Sequence, residues 1–327
     1  MTRIGVIGTG GMGRGHCNSL PNVENCEFVG VADVRLEAAQ EVTKQYHIRA
    51  FQNYQDLLAI VDGVVIATPP VAHREVAVAA AAAGVHVFCE KPLSLTLADA
   101  DAMIEAADKG GTHLMVGQVL RFYPVHQLGK QLVDGGEIGD VVYLETDYSG
   151  AYRGPRERPS TWYGSVGGLL ENGIHKSDLI NWFGGTALTV AAEMGSFSGH
   201  EDWEDYTLTL IRYDSGAVGI LRWGSFMGAR GTNDTIIDGS KGSLRLDMGA
   251  DVAYLKKIGE SEWKEIIPDR TGPHGVVGEL THFIDCISKG HAPLIDGNAG
   301  RHAVEVVLAT YRSAKERIKV ALPMRDA

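Results

Sequence analysis

The sequence predicts an α/β chain, with an N-terminal doubly wound parallel sheet followed by an α+β domain built on antiparallel hairpins. Three observations carry this reading. Short buried-type strands alternate with helices over the first third, a glycine-rich turn closes the first strand, and strand pairs joined by short turns follow. "RIGVIG" (3–8) is a β-branched run ending in glycine, and "MGRGHCNSL" after the turn suits a helix. "EFVGVAD" (27–33), "GVVIAT" (63–68), "HVFCE" (86–90) and "HLMVGQ" (113–118) read as further strands. Between them lie helical stretches in "RLEAAQEVTKQYH", "HREVAVAAAAAG" (73–84) and 95–109. Such alternation gives a parallel sheet with right-handed crossovers, and ligands sit at the carboxyl ends of its strands.

The pattern changes after about residue 120, which divides the chain into 1–120 and 121–327. "VVYLETDYSG" (141–150), "YTLTLIRYDSGAVGILRWGSF" (206–226), "TIIDGSKGSLRLD" (235–247) and "VAYLKKIGESEWKEII" (252–267) alternate as strands do, with turns at Asp214-Ser215-Gly216 and Gly259-Glu260. Helices over 124–134, 171–183, 276–288 and 299–317 flank them.

The chain has 327 residues, 44% of them hydrophobic, enough for one large or two ordinary cores. A net charge of -11 supplies no basic stripe for nucleic acid or an acidic membrane, so a small-molecule partner is expected. Cys17, Cys26, Cys89 and Cys286 show no paired metal-type spacing, and the reading includes no metal and no disulfide. "MTRIGVIGTGG" turns from a short apolar run directly into glycines, unlike a signal peptide or a span, and a cytoplasmic location is expected.

Chemistry enters at "GTGGMG". Gly8, Gly10 and Gly13 form a G-x-G-x-x-G pattern around Gly11 and Met12, and allow a tight turn, close approach to a pyrophosphate and helix-on-strand packing. Asp33 ends the second strand at the spacing the dinucleotide fingerprint requires, with Arg35 beside it. An acid there accepts from a ribose 2′-hydroxyl and repels a 2′-phosphate, which favours NAD over NADP. In "ENGIHKSD", Glu171, His175 and Asp178 fall at i, i+4 and i+7, one face of an α-helix. Such a stripe serves a metal, a general base with its orienting acid, or a solvated face.

Taken together, "GVIGTGGMG", "ATPPVAH" (67–73), "CEKPL" (89–93), "GGLLENGIHKSD" (167–178) and the tail from "ELTHFIDC" to "KVALP" resemble the Gfo/Idh/MocA family, the glucose–fructose oxidoreductase and inositol dehydrogenase relatives. The resemblance runs from about residue 3 to residue 322. It implies an N-terminal Rossmann domain, a C-terminal domain with a large, mostly antiparallel sheet used for dimers or tetramers, and a nicotinamide held between the two. It implies hydride transfer at a secondary alcohol or carbonyl of a sugar, cyclitol or sugar derivative. Lys91 matches the lysine that contacts substrate and nicotinamide, Glu90 its acid neighbour, and His175 the usual acid/base. Thr68, Pro69, His73 and Gln118 match positions lining the cofactor, and a cis bond often precedes the proline matched by Pro92. Two departures stand at the substrate end. Glu171 replaces the usual aspartate, and Val166-Gly167-Gly168 replaces three glycines.

Elementary chemistry gives the same roles. Oxidising a carbinol needs a hydride acceptor about 3 to 3.5 Å away, a base, and stabilisation of the incipient alkoxide. Neutral imidazole suits the base, so His175 takes that role with Glu171 orienting it and Lys91 polarising the oxygen. Candidate substrate contacts are Arg121, Asn172 and Asp178, with Tyr152, Arg153 and Trp162 in the loop "YSGAYRGPRERPSTWYG", whose arginines suit an anionic group. Two other readings remain at this level: a redox-neutral glycosidase-type enzyme that keeps NAD bound, and a non-catalytic dinucleotide-sensing regulator.

Overall fold

The computed structural model describes residues 1–150, 166–197, 203–224 and 232–324. The chain divides into two compact units, Met1–Val119 with Pro273–Arg301, and Leu120–Gly272 with His302–Ala327. A single cut at 120 therefore does not describe the division, because residues 273–301 return to the first unit. The reason is packing: a side chain at Gly63 would meet Phe283 and Ile287.

The first unit holds a six-stranded parallel sheet in the order β3-β2-β1-β4-β5-β6. Its strands are β1 (Thr2–Ile7), β2 (Cys26–Ala32), β3 (Arg49–Phe51), β4 (Gly63–Ile66), β5 (His86–Cys89) and β6 (Leu114–Val116). This is the doubly wound order with its switch point beside β1, where dinucleotides bind. The expectation of five strands omits β3, a three-residue edge strand too short to show alternation. The helices are α1 (Gly11–Ser19), α2 (Leu36–Tyr46), α3 (Tyr54–Leu58), α4 (His73–Ala82) and α5 (Leu97–Gly110). β1 and β4 are buried on both faces, as a sheet covered by helices requires.

In the second unit, α6 (Pro124–Asp134) precedes β7 (Val141–Ser149), and α7 (Ile174–Gly184) precedes β8 (Ala187–Gly195). β9 (Tyr206–Tyr213), β10 (Val218–Gly224), β11 (Asp234–Gly239), β12 (Gly242–Asp247), β13 (Val252–Lys257) and β14 (Lys264–Ile266) follow. Then α8 (Gly275–Lys289) lies in the first unit, α9 (Gly297–Glu316) enters the second at His302, and β15 (Val320–Ala321) closes the sheet. The nine strands run β14-β13-β12-β11-β7-β10-β9-β8-β15, antiparallel except for the β10–β7 pair, which the hairpin reading did not anticipate. On β9, Thr207, Thr209, Ile211 and Tyr213 are buried while Leu208 and Leu210 face outward, so one face packs helices and the other stays open. Among the described residues, no helix is long and apolar enough to cross a membrane.

Candidate active site

In the first unit, β1 delivers the chain into the glycine turn. Gly8 has φ +92, where only glycine is unstrained. A side chain at Gly13 would overlap the Gly8 carbonyl oxygen, so this glycine lets α1 lie against the turn. Gly10 and Gly11 have open space where a Cβ would stand, and Met12 is half-exposed beside them. That leaves a bare backbone at the start of α1, the surface a pyrophosphate needs.

Asp33 is tied to the same turn. Its Oδ2 accepts the Thr9 N–H at 2.9 Å and the Thr9 hydroxyl at 2.8 Å, and its Oδ1 accepts the Arg35 N–H at 2.9 Å. Burial pushes this carboxyl up, but the Arg35 and Thr9 donors outweigh it and hold it below its ordinary value. Gly8, Gly10, Asp33, Arg35, Thr68 and Pro69 line a cavity of about 520 Å³. The Thr68 hydroxyl beside it is buried without a hydrogen-bond partner among the described residues. Open glycines, an ionised acid with lone pairs to spare and an unsatisfied hydroxyl fit a dinucleotide. A wider groove of about 1040 Å³ between α4 and α5 carries only helix-surface side chains such as Arg74, which pairs with Asp99.

His73 does not face this cavity. Its ring is fully buried, with Nε2 3.0 Å from the Thr68 carbonyl and Nδ1 3.1 Å from that of Pro92. It braces the cofactor wall against the turn after Lys91, where the Lys91–Pro92 bond is cis. Burial lowers the imidazole pKa. Gln118, also assigned to the cofactor wall, is buried.

Glu90, the acid neighbour of Lys91, is bonded within the first unit. It is buried, and its Oε1 lies 2.6 Å from His16 Nε2 on α1 while Oε2 accepts the Lys91 N–H at 3.1 Å. Burial opposes its ionisation, but the His16 contact and the Lys91 charge and N–H lower its pKa. Glu279 on α8 completes this buried group. Burial and the Glu90 charge push its carboxyl well above the ordinary range. The strand end that presents half-buried Lys91 is thus tied to α1, with Glu279 of α8 beside it.

In the second unit, the helix carrying His175 begins differently from its sequence pattern. Leu169–Gly173 forms a π-helical turn and α7 starts at Ile174. Glu171 therefore lies in the wider π turn, while His175 and Asp178 lie on α7 itself. Glu171, Asn172 and His175 are half-buried, whereas Asp178 is fully buried. Both Asp178 oxygens accept from buried Arg121, Oδ2 from Nε at 2.8 Å and Oδ1 from Nη2 at 2.6 Å. These two candidate substrate residues are therefore spent on each other, and they pin α7 to the segment after β6. Tyr152, Arg153 and Trp162 lie outside the described residues.

Residues absent from the sequence reading hold the π turn. Glu204 Oε1 accepts the Leu169 N–H at 2.7 Å and the Tyr311 hydroxyl at 2.8 Å, and Tyr311 accepts the Leu170 N–H at 3.0 Å. A side chain at Gly168 would collide with the Trp223 indole, and one at Gly173 would collide with Leu169 and crowd the same ring, so both glycines let the backbone lie close to it. The helix start is capped by Glu204, which takes the Leu169 N–H. Beside His175, Lys176 is 2% exposed and its Nζ has no hydrogen-bond partner among the described residues. Burial, against the pull of Asp147 and Asp234, lowers its pKa to about 8.

A doubly wound parallel sheet with a glycine cradle and an anchored acid at its switch point defines an NAD-binding oxidoreductase of the Rossmann type. Comparison with known proteins makes this specific. Residues 2–118 match the "Oxidoreductase family, NAD-binding Rossmann fold" and residues 130–322 the "Oxidoreductase family, C-terminal alpha/beta domain". The chain belongs to the Gfo/Idh/MocA oxidoreductase family. It is 28% identical to a myo-inositol 2-dehydrogenase of Thermotoga maritima, over 98% of each chain. It is likewise 28% identical to a scyllo-inositol 2-dehydrogenase (NAD(+)) of Bacillus subtilis, over 99% of this chain and 97% of the other. Among solved structures, a levoglucosan dehydrogenase in complex with NADH and levoglucosan shares the fold with TM-score 0.88 at 23% identity, over 99% of this chain and 100% of the other.

Proposed function

We propose that the chain oxidises a secondary alcohol of a cyclitol, sugar or sugar derivative with NAD, or reduces the corresponding ketone, with His175 as acid/base. Bound nicotinamide supplies the hydride acceptor. Gly8, Gly10, Gly11 and Gly13 seat its pyrophosphate, Asp33 takes the ribose hydroxyls, and the Thr68 hydroxyl and Pro69 bound the wall. Lys91 donates to the substrate oxygen as a cation and favours the alkoxide. The His175 imidazole takes the hydroxyl proton, and Glu171 holds the ring. Asp178 and Arg121 act as positioning residues for α7. Asn172, on the π turn, is a substrate contact, and the open face of the nine-stranded sheet pairs with a second copy.

The observation that supports this most is the anchored Glu90-Lys91-Pro92 segment. Lys91 follows the carboxyl end of β5, the ligand side of a parallel sheet, and its backbone N–H is held by Glu90, which supports a role for it in the chemistry. The names of the inositol dehydrogenase relatives support the substrate class. The test is a screen of cyclitols, aldoses, sugar acids and anhydrosugars with NAD and NADP, read at the nicotinamide absorbance. Net NADH formation with a cyclitol or sugar is expected. Cleavage of a glycoside without net NADH would replace this reading with the redox-neutral one. Tight NAD binding without turnover on any compound would replace it with the sensor.

A further inference from the structure

We propose that His282, Cys286 and His291 form a binding site for a divalent cation of the zinc class, at the C-terminal end of α8. Cys286 follows His282 by one helical turn, so the two share a face. Gly290 ends the helix at φ 72 and turns the chain back, which brings His291 over the last turn. Cys286 Sγ lies 3.4 Å from His282 Nε2 and 3.3 Å from His291 Nδ1, and the three atoms lie within 4.8 Å of one another. With metal–sulfur bonds of about 2.3 Å and metal–nitrogen bonds of about 2.0–2.1 Å, a tetrahedral ion needs sulfur and nitrogen about 3.5 Å apart. The His16–Glu90–Glu279 group makes a useful contrast, because its 2.6 Å contact is a closed hydrogen bond with no room for an ion.

Donor chemistry sets the class of ion. One thiol and two imidazoles suit zinc and its neighbours, whereas magnesium and calcium prefer oxygen. Cys286 is buried, His282 half-buried and His291 exposed, so an ion enters from the His291 side and water fills the fourth position. On binding, the thiol proton passes to solvent and the sulfur becomes a thiolate ligand. The Leu294 N–H, now donating to His282 Nε2 at 2.8 Å, gives up that lone pair to the ion. The ion would staple the loop after α8 to a helix whose Phe283 and Ile287 pack beside Gly63 on β4, which makes the site structural. A search for paired cysteines passes over it, because its spacing is H-x3-C-x4-H.

The test is a titration of the chelator-treated, full-length protein with Co2+ and then Zn2+. One equivalent of Co2+ should give a thiolate-to-cobalt charge-transfer band in the near ultraviolet, Zn2+ should abolish it, and Zn2+ should raise the unfolding midpoint. Cys286→Ser should lose the band. Exposed His291→Ala, which leaves the core intact, should lose the one-equivalent binding and the Zn2+ shift while keeping NAD affinity. Absence of the band in the parent, or a band of equal strength in either variant, overturns the proposal.

Discussion

The dinucleotide turn and the helix carrying His175 are built by opposite means. The turn is local: Gly8, Thr9, Gly13 and Asp33 lie within about 25 residues and hold one another through backbone contacts and two Thr9 hydrogen bonds to Asp33. The start of the His175 helix is held from far away, by Glu204, Trp223 and Tyr311 and by Arg121 on the preceding segment. A local device is readable as a motif. A distant one is visible only once the chain is folded, and it fails when any one partner is lost.

The largest effect should come from the distant support. Arg121→Leu strands the buried Asp178 carboxylate, and breaking a buried pair costs about 3–5 kcal/mol. Denaturant unfolding should register that loss. Comparable stability in Arg121→Leu would show that α7 does not depend on the pair.

In the local device, Gly13→Ala presses a methyl against the Gly8 carbonyl, an overpacking of about 1–3 kcal/mol. The cradle should lose NAD affinity by a factor of about 10–100 with the second unit untouched. NAD titration by fluorescence quenching checks this, and unchanged affinity would mean that the turn tolerates displacement.

Lys176 sharpens the contrast in the other direction, since it burdens the second unit. Its folded pKa of about 8 lies below its ordinary 10.5. Below pH 8 both states are protonated and the folded state carries the full penalty. Between pH 8 and 10.5 the folded amine is neutral while the unfolded one stays charged, so stability rises through that window. Lys176→Met should therefore stabilise by about 2–3 kcal/mol at pH 7, with a gain that shrinks from pH 8 upward. A pH-independent gain would place its origin in packing.

The smallest effect belongs to Asp33. Asp33→Ser leaves Arg35 without its acid, and the NAD-to-NADP ratio of kcat/KM should fall about tenfold. A parent enzyme that already prefers NADP would sink the argument from this carboxylate.

The same division explains what the sequence disclosed. The parallel sheet, the cradle and the Glu90-Lys91-Pro92 and Gly173–Asp178 motifs were legible because each is a contiguous pattern. The partners of Glu90 were not: His16 and Glu279 lie 74 and 189 residues away in the chain, and neither sits in a pattern that announces a carboxylate partner. The π turn was hidden as well, because an apolar run reads the same at either pitch until Gly168 and Gly173 are seen lying close to Trp223. Arg121 and Asp178, each polar and in family-like positions, read as substrate contacts, and their mutual pairing depends on tertiary proximity alone.

The central step of the proposed chemistry is proton transfer by His175. The direct measurement is the pH–rate profile of His175→Ala with the best polyol substrate, beside its NAD dissociation constant. The account predicts kcat/KM lower by about 10²–10⁴ with the profile's base limb gone, and NAD affinity equal to the parent's. Full kcat at every pH, or a loss explained wholly by weaker NAD binding, would contradict it.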